Sequence, residues 1–232
     1  IGMSALARYF KHCGASVCGY DRTQSSLCNT LTAEGINIHY TENVAQIPLD
    51  VQLVVYTPAI PAHHAELVYY RQNGYTVLKR SEVLQLITNQ VFTIAIAGSH
   101  GKTSVTSLIT HLLHHSGYGC TAFVGGIMTN YNANFVVSNP NVVVIEADEF
   151  DRSFLRLNPT LAVITAVDSD HLDIYGTQAG VEEAFEQFAT QVKPNGHLFV
   201  NSRVPILDKL KKYPITTYDL DNIKADYYVK NI

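Results

Sequence analysis

Short apolar runs alternate with amphipathic helical patterns along this chain, which predicts an α/β fold with a mainly parallel sheet. The clearest pair is a strand over residues 92–97 followed by a helix over residues 102–116. The helix is indicated by apolar residues at the spacing of one helix face: Val105, Leu108, Ile109, Leu112 and Leu113. Gly117 is well placed to end that helix.

The pattern restarts near Asn89 and Gln90, so we predict two consecutive α/β units, over residues 1–89 and 90–232. The first unit begins with a helix already under way. Its strands are predicted over residues 15–20, 37–40, 51–56 and 76–78, and its later helices over 27–34, 63–73 and 81–88, the last with Ser81 as N-cap. In the second unit we predict further strands over 141–146, 161–167 and 197–200, a helix over 180–192, a loop at Gly125 and Gly126, and edge strands in the tail 216–232.

A glycine-bracketed turn joins the strand over 92–97 to its helix: Gly98-Ser99-His100-Gly101-Lys102-Thr103-Ser104. Backbone N–H groups of such a turn and the helix N-terminus face an anion, while Lys102 reaches terminal phosphates and Thr103 can hold Mg²⁺. The usual pattern has four residues between its glycines, whereas Gly98 precedes Gly101 by three positions. A phosphate cradle is therefore our prediction, and a tight turn with a solvated lysine is the alternative.

Polar clusters follow the two other strands predicted next to this turn, at residues 146–151 and 168–173. Carboxyl ends of parallel strands meet at one edge of a sheet, so the turn and both clusters should share one crevice. Glu146 is the last residue of its apolar strand, a costly place for an unpartnered carboxylate that a phosphate-bridging Mg²⁺ would compensate. His171 could ligate a second cation or orient a nucleophile. Asp148, Glu149 and Asp151 are expected to be solvated or to cap turns.

Other candidate ligands carry weaker signals. Asp21 follows a strand, where an acidic residue either meets a ribose or caps the next turn, and both readings stay open. The pairs His63–His64 and His111–His115 are expected to have ordinary surface roles rather than to bind a metal.

Composition excludes several classes of function. The net charge is −4 and charged residues make up 16% of the chain, so a basic nucleic-acid-binding face is not expected. No apolar run approaches the ~18 residues that span a bilayer. Four cysteines without a C-x-x-C pair favour free thiols in a reduced compartment, hence a cytoplasmic protein. The chain begins with Ile1 instead of methionine, so we expect its natural N-terminus to lie upstream.

The ordered motifs 98–103, 146–151 and 170–173 resemble those of the ATP-dependent Mur ligases of peptidoglycan synthesis. Within that family they are most similar to the members that join L-alanine to UDP-N-acetylmuramate. The resemblance covers essentially the whole chain, and it is supported by Ile1-Gly2-Met3-Ser4, Thr57-Pro58-Ala59-Ile60, Lys79-Arg80-Ser81-Glu82, Gly125-Gly126 and Asn134.

The resemblance implies a Rossmann-like N-terminal domain for the UDP sugar, lacking its first strand, and most of a P-loop-type central ATPase domain. It also implies that a third domain is absent and that the fragment alone is not a competent ligase. In this family ATP phosphorylates the muramate carboxylate to an acyl phosphate, which the amine of L-alanine attacks. Protein groups contribute mainly positioning and charge stabilisation.

Residue roles follow from the same resemblance. Lys102 would stabilise the transferring phosphoryl group of ATP, Thr103 and Glu146 would hold one Mg²⁺, and His171 would hold the other. The nucleotide would contact residues 98–104. Contacts to the UDP sugar are implied for Asp21, His39, Thr57, Pro58, Ala59 and Asn134.

Three rival functions stay open at this point. One is the related ligase that recycles a tripeptide onto UDP-N-acetylmuramate, although residues 170–176 look closer to the alanine-adding members. Another is a nucleotide-binding module without ligase chemistry. The third, a small-molecule kinase of the P-loop type, is disfavoured by the accompanying first unit and the loop spacing.

Overall fold

A computed structural model describes residues 2–230 of the chain. Ile1 of the predicted first helix and residues 231–232 of the predicted tail lie outside the described residues. The chain divides into two compact units, one up to Val83 and one from Leu84 onward. Helix α4 (Arg80–Asn89) spans this division, and the boundary we expected between residues 89 and 90 stays a prediction.

The first unit alternates helices with short parallel strands, as predicted. Strand β1 pairs with β2 and β3 pairs with β4, in two two-stranded sheets. The elements are α1 (Gly2–His12), β1 (Cys18–Tyr20), α2 (Ser26–Ala33), β2 (Asn37–His39), a 3-10 helix (Val44–Gln46), β3 (Val54–Tyr56), α3 (Ala65–Gln72) and β4 (Val77–Lys79). Their buried contacts come from apolar side chains such as Leu6, Ile36 and Leu67.

The predicted N-cap of α4 was wrong. The helix begins at Arg80, so Ser81 lies inside its first turn. Instead, the Lys79 N–H donates to the Glu82 carboxylate at 2.7 Å, the reciprocal half of a capping box. A carboxylate three residues into the helix can reach back to this amide, and this contact marks the helix start.

The second unit is built on one eight-stranded sheet with strand order β12-β11-β10-β9-β5-β8-β6-β7. All neighbouring strands are parallel except β6 and β7, which are antiparallel. The elements are β5 (Phe92–Ala97), α5 (Lys102–His115), β6 (Thr121–Met128), β7 (Ala133–Val137), β8 (Val142–Glu146), a 3-10 helix (Phe150–Arg156), β9 (Leu161–Ile164), α6 (Leu172–Tyr175), α7 (Gln178–Thr190), β10 (His197–Asn201), α8 (Leu207–Leu210), β11 (Ile215–Asp219) and β12 (Tyr227–Tyr228).

The central strands are buried because their neighbours and the covering helices leave them no solvent. Ile96 of β5, Val144 of β8 and Ile164 of β9 have no exposed surface. Helix α5 packs on this core through Val105, Ile109 and Leu113, whereas Leu108 and Leu112 are more than half exposed. The apolar face predicted for this helix was therefore too wide.

Strand β6 corrects a second expectation. Gly125 and Gly126 lie inside β6, not in a loop, and β6 forms a hairpin with β7 that the sequence pattern did not predict. A strand interrupted by two glycines lacks the continuous β-branched signal by which strands are found. Among residues 2–230, none of the helices combines the length and the hydropathy that crossing a bilayer requires.

Candidate functional site

Three neighbouring strands end at one edge of the second unit's sheet, which confirms the predicted convergence. β5 lies between β8 and β9, with Ile96 opposite Glu146 and Ala97 opposite Ile164. The glycine loop follows β5, Glu146 ends β8, and residues 165–171 follow β9. Chemically active groups from three separate stretches of sequence thus meet at the carboxyl edge, where open α/β sheets bind ligands.

The glycine loop needs its first glycine for a steric reason. Gly98 has φ +144°, and a Cβ there would lie 2.0 Å from Thr165 Oγ1 and 2.9 Å from the Ala166 nitrogen. Thr165 Oγ1 donates to the Ala97 carbonyl at 3.1 Å, and the Ser99 N–H donates to the Ala166 carbonyl at 3.0 Å. The loop is therefore locked against the segment that follows β9.

The next two loop residues differ in what they contact. Ser99 is buried, and its hydroxyl accepts the Asp168 N–H at 2.9 Å, so it fastens the loop to the protein. His100 is exposed, with Nε2 3.5 Å from the Asp168 carboxylate. Ser104 lies on the first turn of α5 and lines a cavity of about 290 Å³ together with Thr103.

The N-terminus of α5 is suited to an anion. Gly101 is its N-cap with φ +82°, and no side-chain hydrogen bond caps the helix in the part of the chain described. The first N–H groups of a helix have no partner inside the helix, and the helix dipole favours negative charge there. A phosphate group would supply both a hydrogen-bond acceptor and a charge.

Glu149 is the main site residue that the sequence prediction missed. We expected it to be solvated or to cap a turn, but its side chain is 1% exposed and forms an ion pair with Lys102. Lys102 Nζ donates to Glu149 Oε1 at 2.9 Å and to the Gly98 carbonyl at 2.6 Å. A lysine that is itself only 13% exposed needs a nearby counter-charge, and no pattern in the sequence showed that Lys102 would be buried beside Glu149.

The backbone around Glu149 is held from two sides. The Tyr175 hydroxyl donates to the Glu149 carbonyl at 2.6 Å. Burial, and then the nearby charge of Glu149, raise the pKa of Tyr175 to about 12, so this donor keeps its proton at physiological pH. Phe154, five residues on, packs between Phe185 and Phe188 with ring centroids 5.2–5.3 Å apart.

Thr103 and Glu146 lie together, as predicted for a shared cation. Thr103 Oγ1 donates to Glu146 Oε1 at 2.9 Å, and the Gly125 N–H donates to Oε2 at 2.8 Å. A Cβ on Gly125 would lie 2.8 Å from that carboxylate, so a side chain there would displace Glu146 from its present position. A hydroxyl beside a carboxylate is a donor set suited to a hard divalent cation.

His171 lies close to Glu149 and Asp170. It precedes α6 in a left-handed conformation with φ +55°, and its Nε2 is 3.7 Å from Glu149 Oε1. One ligand atom each from Glu149, Asp170 and His171 fall within 4.8 Å of one another. Two carboxylates and an imidazole in this arrangement could hold a divalent cation.

The candidate residues of the first unit make mostly internal contacts. The Asp21 carboxylate accepts the Thr23 N–H at 3.0 Å, the turn-capping alternative, and the Asp21 N–H donates to the His39 carbonyl at 3.1 Å. His39 Nε2 lies 2.9 Å from the buried carboxylate of Glu66. Residues 57–59 follow β3 in a turn closed by the Ile60 N–H on the Thr57 carbonyl.

Asn134, the remaining predicted substrate contact, belongs to the second unit. It is fully buried in β7 and offers no exposed surface to a ligand in this structure.

Two family models match the chain, one over its first part and one over the remainder. The model described as the Mur ligase middle domain matches residues 96–232, more than half of the chain. The model described as the Mur ligase family catalytic domain matches residues 1–91. This chain belongs to the Mur ligase family, as the motifs suggested.

Similar curated proteins carry the name UDP-N-acetylmuramate–L-alanine ligase. One from Flavobacterium johnsoniae is 49% identical over 210 residues, which cover 89% of this chain and 47% of that protein. Another, from Porphyromonas gingivalis, is 45% identical over 239 residues, 100% of this chain and 52% of that protein. The chain spans about half the length of the curated relatives it matches.

Solved structures confirm the α/β fold. The UDP-N-acetylmuramate-alanine ligase MurC of Thermotoga maritima superposes with a TM-score of 0.81 at 26% identity, covering 99% of this chain and 50% of that one. The UDP-N-acetylmuramate:L-alanyl-γ-D-glutamyl-meso-diaminopimelate ligase of Neisseria meningitides has a TM-score of 0.83 at 22% identity, covering 93% and 74%. At that identity the second similarity concerns the fold alone.

Proposed function

We propose that this chain forms the nucleotide-binding and UDP-sugar-binding part of an ATP-dependent ligase that joins L-alanine to UDP-N-acetylmuramate in peptidoglycan precursor synthesis. The observation that carries the proposal is 45% identity along the full chain to a ligase of that name. The grouping of Lys102, Thr103 and Glu146 at the carboxyl edge of the sheet supports it.

ATP is proposed to bind with its phosphates on residues 98–104. The first N–H groups of α5 would receive phosphate oxygens, and Lys102 would meet the terminal phosphates. Stabilising the charge on a transferring phosphoryl group is the main work that a protein does in such a step. An acyl phosphate on the muramate carboxylate would then be open to the amine of L-alanine.

Mg²⁺ is proposed at two positions, because the donor sets fit a hard cation. Thr103 and Glu146 would hold one ion, and His171 with Glu149 and Asp170 would hold the other. When bound, such ions would neutralise negative charge on the phosphates. Thr103 orients the Glu146 carboxylate through its hydroxyl, and Gly125 does so through its N–H.

A cytoplasmic location completes the proposal. The four cysteines, Cys13, Cys18, Cys28 and Cys120, are all free thiols, which is usual for a reducing compartment.

The first test of this function compares two acceptor substrates, L-alanine and the tripeptide. With ATP, Mg²⁺ and UDP-N-acetylmuramate, the intact ligase that contains this chain should release phosphate with L-alanine at least ~100-fold faster than with L-alanyl-γ-D-glutamyl-meso-diaminopimelate, since a site built for one amine rejects mismatched groups. Reactions without the UDP sugar serve as the control. Turnover with the tripeptide alone would support the recycling rival, and nucleotide binding without phosphate release from either acceptor would support a non-catalytic module.

A substitution of Glu146 tests the first proposed Mg²⁺ site. Glu146→Gln keeps the size and hydrogen-bonding oxygen of the side chain but removes its charge, so the Mg²⁺ concentration for half-maximal turnover should rise by about tenfold. The matched control is Glu183→Gln, because Glu183 is an exposed glutamate on α7. An unchanged Mg²⁺ titration in Glu146→Gln would remove Glu146 from the set of ligands.

A further inference from the structure

Glu149 is a buried carboxylate that the proposed mechanism does not fully use. Its side chain is 1% exposed, and it lies between the glycine loop and the segment that carries His171. Burying a carboxylate is unfavourable unless opposite charge or hydrogen bonds compensate it. The groups that contact Glu149 therefore indicate its role.

Lys102 is the main partner of this carboxylate. Nζ donates to Oε1 at 2.9 Å and lies 2.8 Å from Oε2, an oxygen that accepts no hydrogen bond from any residue between 2 and 230. His171 Nε2 lies 3.7 Å from Oε1. Glu149 thus contacts the phosphate-binding lysine and one of the proposed cation ligands at once.

Glu149 and a bound nucleotide phosphate would compete for Lys102. The ammonium group has three hydrogens, of which one goes to the Gly98 carbonyl and one to Glu149. A nucleotide phosphate at the same lysine would bring several negative charges close to a carboxylate in a poorly solvated site, where repulsion is strong. A divalent cation near His171 and Asp170 would relieve that repulsion, since Glu149 is already within reach of both.

We propose that Glu149 acts as the built-in counter-ion of Lys102 and makes tight nucleotide binding depend on a divalent cation. Without nucleotide it holds Lys102 over the loop. When phosphate and cation bind together, the carboxylate leaves Lys102 and turns toward Asp170 and His171. This inference rests on the proposed function, because it presumes a nucleotide in the cradle.

The backbone around Glu149 suits a change confined to its side chain. The Tyr175 hydroxyl holds the Glu149 carbonyl at 2.6 Å, and the Phe154 N–H holds the Asp148 carbonyl at 3.2 Å. A carboxylate on a fixed backbone can exchange partners by rotating its own torsions, with no loop rearrangement.

Calorimetric titration of the intact ligase that contains this chain with ATP, once in EDTA and once with Mg²⁺, tests the inference. In wild type, Mg²⁺ should tighten binding strongly. In Glu149→Gln, metal-free ATP should bind about tenfold tighter than in wild type, and the gain from Mg²⁺ should shrink, because the competing charge is gone. The matched control is Asp148→Asn, which removes an exposed charge from the adjacent position.

A second variant separates this role from a merely structural one. Glu149→Asp keeps the charge but draws it back from Lys102, so metal-free binding should tighten by about threefold while the gain from Mg²⁺ remains. If Glu149 only supported the fold, both variants would bind ATP more weakly in both conditions. That result, or unchanged affinities, would overturn the inference. Wild type that binds ATP in neither condition would instead contradict the phosphate cradle and the proposed function.

Discussion

Lys102→Ala should lower turnover of the ligase that contains this chain by at least ~1000-fold. The side chain is held within the site by Gly98 and Glu149. Removing a charged donor from a phosphoryl-transfer site typically costs two to five orders of magnitude, since the transition state loses its nearest positive charge. Phosphate release at saturating ATP and Mg²⁺ measures the effect.

The same substitution should also destabilise the fold, by about 3 kcal/mol, because it leaves the Glu149 carboxylate buried and unpaired. A double variant, Lys102→Met with Glu149→Gln, should recover most of that stability without recovering turnover. Chemical denaturation separates the two effects. Lys211→Ala is the matched control, since Lys211 is exposed and pairs with exposed Asp208. Retained turnover in Lys102→Ala would remove the cradle from the mechanism.

Gly98→Ala should be the most damaging glycine substitution in the loop. The added methyl group would lie 2.0 Å from Thr165 Oγ1 and 2.9 Å from a backbone nitrogen, so either the loop or the segment after β9 must move. We expect a loss of more than about 3 kcal/mol in the free energy of unfolding, from overpacking together with backbone strain. Nucleotide binding should fall with it, because the loop would no longer present its N–H groups together.

Gly176→Ala provides the control for Gly98→Ala. Gly176 also has a positive φ, +76°, but a Cβ there would meet no atom within 4 Å. Its substitution should therefore cost only the conformational strain of φ +76°, ψ −44°, about 2 kcal/mol. Thermal or chemical denaturation measures the loss of stability in each variant. Gly176→Ala reports backbone strain alone, and Gly98→Ala reports strain together with the steric clash against Thr165. Equal losses would show that the contact with Thr165 does not constrain the loop.

The alternation of helices with parallel strands could be predicted from hydrophobic patterning, because short apolar runs between helical patterns have few other solutions in an α/β protein. The antiparallel β6–β7 pair was missed. The parts of the site that were predicted are those whose motifs lie directly at the ends of predicted strands. Glu146 and the glycine loop were found in this way, since a polar residue directly after a buried strand is conspicuous. Element ends were less accurate: β9 stops at Ile164, three residues before the end we expected.

Contacts between distant stretches were not predictable in the same way. Glu149 looked like one of several solvated acidic residues, and only the fold brings it to Lys102, 47 positions away in the chain. Leu108 and Leu112 fit an apolar helix face, yet the sheet covers only the part of α5 that carries Val105, Ile109 and Leu113. Burial depends on which neighbour covers a residue, and periodicity cannot identify that neighbour.

The sequence by itself determined the α/β class, the glycine loop at 98–104 and the membership in the Mur ligase family, because these depend on local patterns and on motif order. Tertiary structure alone decided that Gly98 must be glycine because of Thr165, that Gly125 makes room for Glu146, and that Lys102 already has a buried counter-ion. These are distances between atoms far apart in the chain, and folding sets them through the parallel order of β8, β5 and β9.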